Sequence, residues 1–398
     1  MSRLIKYLAL EGNIRILAAQ TLLSQIGFGM FYVIWQPYLL STGIGLPELG
    51  LIQTLINFST GLGLLTWGYL SDRLGRKPVI IASNAFRIVA IVVLMISGHL
   101  IALLTFGFFI GFTAMFMMGN PARNAIIAES VDSTNRATAL STLLTISQGV
   151  STLMASAGGW IATVKGYSPI FYIVLITDLI GISLLVLFIE ETHSPEKFEK
   201  EEKTFMENAR SFFLPEKENL LLYTIMLTGG FSYGVAYNLF YGALTDFQAF
   251  TPLQLGFMST SFNLTWALGS IPLGKLSDRW SRKKMLMGSM MMAMITVLGF
   301  IFSWRPEIFI LFNAVSALDI CFWLPSWTSL VSEKVPPEKR SSLLGKLDAY
   351  GRIGSLPASL IAGFLLERYG FYFPLYVQVI GLLFSSYQIL QIKEPKRQ

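Results

Sequence analysis

Gly68–Ile80 reads GYLSDRLGRKPVI, and Gly274–Leu286 reads GKLSDRWSRKKML. Each stretch follows an apolar run long enough to cross a hydrocarbon core of roughly 30 Å as a helix. The two copies belong to a longer repeat. A shift of 206 residues aligns Leu49-Gly50 with Leu255-Gly256, Thr54 with Thr260, Asn57 with Asn263 and Gly63 with Gly269. A shift of 204 lays Pro121, Glu129, Val131 and Arg136 on Pro325, Glu333, Val335 and Arg340. Two positions in the order of apolar runs, the end of the second and the end of the fourth, thus recur in each half of the chain.

Composition sets the class. The 398 residues are 53% hydrophobic and only 14% charged, with mean hydropathy +0.57, against about 25% charged residues in a soluble protein. Twelve spans are predicted, near 14–40, 47–71, 78–97, 99–120, 137–163, 168–190, 219–245, 253–277, 284–303, 307–329, 340–366 and 370–392. The fold class is therefore all-α integral membrane, and the bilayer is the first partner. An even number of spans puts both termini on one side. Arg3, Lys6 and Arg15, Arg73/Arg76/Lys77, Arg136, Arg279/Arg282/Lys283/Lys284, Lys334/Lys339/Arg340 and Lys393/Lys396/Arg397 share that face. Only Lys165, Arg305 and Arg368 occupy the other. By the positive-inside rule the basic face is cytoplasmic, in a multi-pass protein of the cell membrane. Net charge +6 then reflects orientation and implies no nucleic-acid partner. The first apolar run is too long for a cleavable signal peptide.

Residues 190–218, half of them charged, divide the chain into a bundle over 1–190, a charged cytoplasmic linker over 191–218 and a second bundle over 219–398. The linker is expected to be solvated, partly as an amphipathic surface helix. Cys321 alone gives no disulfide, and His99 and His193 lie too far apart in sequence for a metal centre, so neither metal nor cofactor is expected. No Gly-x4-Gly-Lys-Ser/Thr loop is present to drive a pump with ATP, and no nucleophile or metal cluster supports a membrane enzyme.

These features resemble the major facilitator superfamily. The first copy fits that superfamily's Gly-x-Leu-x-Asp-Arg-x-Gly-Arg-Lys loop at every defining position, and the second departs from it with Ser281 in place of glycine. The resemblance implies two pseudo-symmetric six-helix bundles and transport by alternating access. A repeat with parallel topology relates the halves by an axis along the membrane normal and makes their interface the natural pathway. It also implies a cytoplasmic gate. Gly68 and Gly274 would permit close approach of helices, and Asp72 and Asp278 would face positive helix ends. Arg73/Arg76 would pair with Glu129, and Arg279/Arg282 with Glu333. Gly75, Lys77 and Lys283 complete the motif. A role confined to fixing orientation suits the same arginines.

Ionisable groups inside the spans cost about 2.5–3.5 kcal/mol on insertion scales and call for a reason. Arg87 and Asp178 fall on spans 3 and 6, where mutual pairing is the leading expectation. Asp319 lies about twelve residues into span 10, and Asp348 and Arg352 stand one turn apart on span 11. An acid in an apolar wall can take up a proton from one side and release it to the other as its solvation changes, so either acid could couple transport to protons. A static Asp-Arg pair joining spans 10 and 11 is the competing expectation. Tyr233, Tyr237 and Tyr241, spaced i, i+4, i+8 on span 7 with Asn238 beside them, suggest an aromatic face for amphipathic or cationic molecules. Helix packing explains that stripe equally well. Gln25, Tyr32 and Gln36 on span 1 offer matching positions, and Trp323 and Met115/Met118 a soft surface. Span 4, ended at 120, shows no arginine, and Gly158-Gly159 on span 5 is not the Gly-Pro element of antiporters. The expected cargo is a small organic solute, with proton-linked efflux of lipophilic compounds ahead of uptake of a sugar, organic acid or other metabolite. A receptor that binds without translocating is the rival of another class.

Overall fold

The computed structural model describes residues 8–96, 98–114, 120–132, 135–192 and 214–392. Among these residues the secondary structure is helical throughout. Span 1 is Gly12–Ser41, span 2 Leu46–Leu74, span 3 Arg76–Ile96, span 5 Arg136–Lys165 and span 6 Ser168–Phe188. Span 8 is Pro252–Arg279, span 9 Arg282–Phe302, span 10 Pro306–Lys334, span 11 Pro337–Tyr369 and span 12 Tyr372–Leu390. Two spans are made of two helices each. Span 4 consists of Leu100–Phe112 and Pro121–Glu129, and span 7 of Leu220–Tyr237 and Phe240–Gln248.

The helix ends carry the expected chemistry. Proline stands in the first turn at Pro121, Pro169, Pro252, Pro306 and Pro337, where a missing N–H costs nothing. Thr251 and Gln254 form a reciprocal capping box at the start of span 8. Gly166 and Gly370, at φ +77° and +81°, end spans 5 and 11. They stand 204 residues apart, so the repeat extends to the helix stops.

Nine helices are long and apolar enough to cross a membrane among the described residues, and Leu100–Phe112 is a shorter apolar one. Spans 5 and 8, with 30 and 28 residues, are amply long but too rich in Ser, Thr, Asn and Gln to pass on composition. A spanning helix of that kind is tolerated where its polar face meets protein or water rather than lipid. Large apolar side chains such as Ile101, Ile96 and Trp304 are instead exposed at 76–80%, as suits side chains bathed in lipid tails.

Two compact units emerge. The first lies within Met1–Gly43 and Leu55–Arg210, the second within Ile44–Thr54 and Ser211–Gln398. Within the first, span 1 packs on spans 5 and 6, and span 3 on spans 4 and 6. Within the second, span 7 packs on spans 11 and 12, and span 9 on spans 10 and 12. The pairings repeat in order.

Span 4 differs from the single run expected over 99–120. Ala114 adopts φ +50° and ends the first helix. Asn120 then caps the second by accepting the Arg123 N–H, with Pro121 in its first turn. Such a break strands carbonyls. The Trp67 indole donates to the Phe112 carbonyl at 2.6 Å, and Asn120 Nδ2 donates to that of Thr113 at 3.3 Å. In the second unit Pro325, the repeat partner of Pro121, lies inside the unbroken span 10.

Candidate functional site

The doubled loop builds an ionic cluster around one buried arginine in the first unit. Span 2 ends at Leu74, and Gly75 at φ +97° turns the chain into span 3. Arg76, only 4% exposed, sends Nη1 to Asp72 at 2.6 Å and to Ser71 Oγ at 3.0 Å. Its Nη2 and Nε reach Glu129 Oε1 at 3.1 and 3.4 Å. Glu129 Oε2 in turn accepts from Thr192 Oγ1 at 2.6 Å. Glu191 lies at the open N-terminus of span 3, accepting the backbone N–H groups of Arg76 at 2.9 Å and Lys77 at 3.0 Å. A carboxylate there satisfies orphan donors and meets the positive end of the helix dipole.

Arg76 is thus the residue that pairs with Glu129. Arg73, expected to share that role, instead lies over the Tyr69 ring at 4.5 Å. It sits on the last turn of span 2, before the Gly75 turn that carries Arg76 inward. Nothing in the sequence marks Glu191 and Thr192 apart from the linker they begin. Their roles depend on contacts across 115 and 63 residues of chain.

The second copy is a variation. Arg282 Nη2 and Nε reach Glu333 Oε1 at 3.1 and 3.2 Å, and Nη1 donates to the Ser277 carbonyl. Ser281 caps span 9 with its own hydroxyl, accepting the Lys284 N–H. Lys283 Nζ donates to the Leu390 carbonyl and reaches that of Ile392 at 3.4 Å, tying the loop to the end of span 12. Arg279 ends span 8, and the Asp278 side chain is outside the described residues. Gly68 and Gly274 are not crowded. The nearest atom a Cβ at Gly68 would meet is Pro121 Cγ at 3.7 Å, and at Gly274 there is none within 4 Å.

Inside the spans the two units differ. In the first, Arg87 makes a two-pronged bond to Asp178 at 2.7 and 2.5 Å and a third bond to Ser24 Oγ at 2.8 Å. The expected pairing of spans 3 and 6 is present. Arg123, on the second helix of span 4, bonds Gln20 Oε1 at 3.2 Å and Thr21 Oγ1 at 2.5 Å and is 4% exposed. Span 4 therefore does carry an arginine, because the span runs to Glu129 rather than stopping at 120.

In the second unit Asp319 is 7% exposed. Tyr233 donates to its Oδ2 at 2.6 Å, and Ser289 Oγ, from span 9, donates to Oδ1. Both partners are hydroxyls. The expected link to span 11 is absent. Asp348 bonds Arg352 at 3.3 Å along their own helix, with side chains 67% and 47% exposed. The tyrosine stripe also stops early. The helix ends at Tyr237 and restarts at Phe240, so no continuous i, i+4, i+8 face extends to Tyr241. Tyr233 and Tyr237 remain together with ring centroids 5.7 Å apart. At the break Asn238 Nδ2 donates to Ser355 and Ser359 of span 11 at 3.0 and 2.7 Å.

Of the other expected residues, Gln25 donates to Ser147 of span 5 at 2.9 Å. Tyr32 is 40% exposed and Gln36 buried. Trp323 stacks on Trp327 at 4.9 Å, one turn along its own helix. Met115, Met118 and most of the linker lie outside the described residues.

The geometry and the repeat agree with known proteins. The Major Facilitator Superfamily model matches residues 17–249 and again 222–397. An uncharacterised MFS-type transporter of Methanocaldococcus jannaschii is 25% identical over 379 residues, covering 89% of each chain. The multidrug resistance protein MdtG of Enterobacter lignolyticus is 22% identical over 85% of this chain and 80% of its own. A crystal structure of the nucleoside transporter NupG superimposes with a TM-score of 0.76 at 14% identity, covering 95% of this chain and 98% of that one. With the family model matched across nearly its whole length and the same fold in a solved transporter, this all-helical, multi-pass membrane chain belongs to the major facilitator superfamily, a family of transporters rather than enzymes.

Proposed function

We propose that this protein is a proton-coupled antiporter of the cell membrane that exports small lipophilic organic compounds by alternating access, with both termini in the cytoplasm. The observation that carries the reading is Asp319. Its carboxylate is enclosed within span 10 and held by the hydroxyls of Tyr233 and Ser289. Among the described residues it forms no ion pair. A cation beside it would hold it ionised, whereas hydroxyls leave both protonation states accessible, because a hydroxyl both donates and accepts. The neighbouring pair of tyrosine rings offers an apolar face with polar tips, suited to amphipathic solutes. The distant relationship to MdtG, named for multidrug resistance, supports the same cargo class. The Asp72–Arg76–Glu129 and Arg282–Glu333 clusters then act as latches at the cytoplasmic end.

The test is ethidium transport in proteoliposomes with and without an imposed pH gradient. The wild type accumulates ethidium against its gradient only when protons flow the other way. Asp319→Asn keeps ethidium exchange at equal concentrations and loses gradient-driven accumulation. Full accumulation by Asp319→Asn refutes the assignment of the proton site.

A further inference from the structure

Asp319 is enclosed, whereas Tyr233 and Tyr237 are only partly buried. The Tyr233 hydroxyl therefore joins a hidden carboxylate to a ring that other molecules can touch. We infer that Tyr233 is a positioning residue through which the protonation state of Asp319 sets how firmly the Tyr233 ring is held beside Tyr237. This rests on the reading of Asp319 as the proton site given above.

The argument is one of hydrogen-bond directions. An ionised carboxylate only accepts, and both hydroxyls that meet it, Tyr233 and Ser289, can donate. All three groups are then satisfied, and the Tyr233 ring is fixed at 5.7 Å from that of Tyr237. Protonation adds a third hydrogen to a set with two carboxyl oxygens. The new O–H points at a hydroxyl that already points back, so one hydroxyl must turn round or leave. Ser289 does so by rotating a single hydroxyl on span 9, and Tyr233 keeps its bond to Oδ2. That bond is weaker to a neutral acid than to a carboxylate. The ionised state therefore holds the tyrosine face more firmly than the protonated state does. Proton and solute then oppose each other, as exchange requires.

The surroundings leave few rival groups. Among the described residues, Tyr237 on span 7 and Cys321 on span 10 are the other titratable groups that sense Asp319. Span 9 contributes the Ser289 hydroxyl, and span 8 presents the Trp266 carbonyl to Cys321. On span 11 the Asp348–Arg352 pair is exposed and satisfied within its own helix.

The experiment is a pH titration of the full chain in lipid nanodiscs by infrared difference spectroscopy, with no solute added. The carboxylic C=O band of Asp319 is assigned by its absence in Asp319→Asn. Tyr233→Phe removes one of two hydrogen bonds to the ionised form, so the band's midpoint moves upward by about one pH unit, a tenfold change in proton affinity. Ser289→Ala moves it in the same direction, and Tyr237→Phe leaves it in place. A tyrosine C–O band in the wild type changes at the same midpoint and is missing from Tyr233→Phe. An unmoved midpoint in Tyr233→Phe, or a tyrosine band indifferent to Asp319 titration, overturns the inference. Failure of the wild type to carry ethidium overturns the cargo reading alone, because the infrared result needs no solute.

Discussion

Gly75 and Ser281 occupy the same place in the doubled loop and meet the same need by different means. Each precedes a helix whose first N–H groups have no partner in the helix. Ser281 supplies its own hydroxyl, whereas Gly75 leaves room for the carboxylate of Glu191, whose Oε2 lies 2.6 Å from where a Cβ would stand. The substitution of serine for glycine was legible in the sequence; its consequence was not, because Glu191 comes from the far end of span 6. Exchanging the two residues separates the solutions. Gly75→Ser combines a side chain at φ +97° with eviction of the Glu191 cap and is expected to cost about 2 kcal/mol. Ser281→Gly costs only a few tenths of a kcal/mol, roughly the usual Ser-to-Gly difference at an N-cap. Thermal unfolding of the purified protein checks both. Equal losses would mean that Glu191 is not a cap.

At the scale of the element, breaks decide what the apolar pattern cannot. Residues 99–120 are apolar enough to read as one helix, and hydropathy has no signal for a left-handed Ala114. Asn120-Pro121 is a start signal in hindsight, but Pro325 in the other half bears the same residue type inside a continuous helix. The difference lies in who receives the stranded carbonyl. Trp67, packed against Phe86 and Phe112 at 5.6 and 5.0 Å, brings an N–H to the Phe112 carbonyl. Trp67→Phe keeps an aromatic ring in that cluster and removes the donor, leaving a buried carbonyl unpaired at a cost of about 1–3 kcal/mol. Trp67→His, with a ring N–H on the same side, should recover part of it. Thermal unfolding again reads the result, and a neutral Trp67→Phe would show that water takes the donor's place. The break in span 7 had the same consequence for the tyrosines: spacing alone carried the stripe to Tyr241, and the helix stops at Tyr237.

For the molecule as a whole, the repeat preserves the loops and abandons the interior charges. A shift of 206 places Arg87 on Ala293, and a shift of 204 places Arg123 on Trp327. The fold was readable because topology needs only apolar length, stops and the doubled loop, all of which are local. Charged side chains within the spans were visible as individuals, but their partners depend on packing between helices. Asp178 found the expected arginine, while Asp348 and Asp319 had to be told apart by exposure and by the hydroxyls around one of them. Among the described residues, the interior of the first unit thus has an ion pair and an arginine held by neutral groups, and that of the second an acid held by hydroxyls.

That asymmetry separates stability from coupling. A buried two-pronged pair is costly to break one side at a time and cheap to replace whole. Arg87→Met alone strands the Asp178 carboxylate and is expected to lose about 3–5 kcal/mol, whereas Arg87→Met with Asp178→Leu recovers most of it. Asp319→Asn strands no charge, since its neighbours are hydroxyls that an amide oxygen can also engage, and its unfolding temperature should lie close to the wild type. Transport behaves in the opposite way. The double variant in the first unit keeps the wild-type dependence of ethidium flux on pH, and Asp319→Asn loses it while remaining folded. A double variant that lost pH dependence would place the proton site on the Arg87–Asp178 pair and remove it from span 10. The two effects are measured on the same preparations, so a loss of fold cannot pass for a loss of coupling.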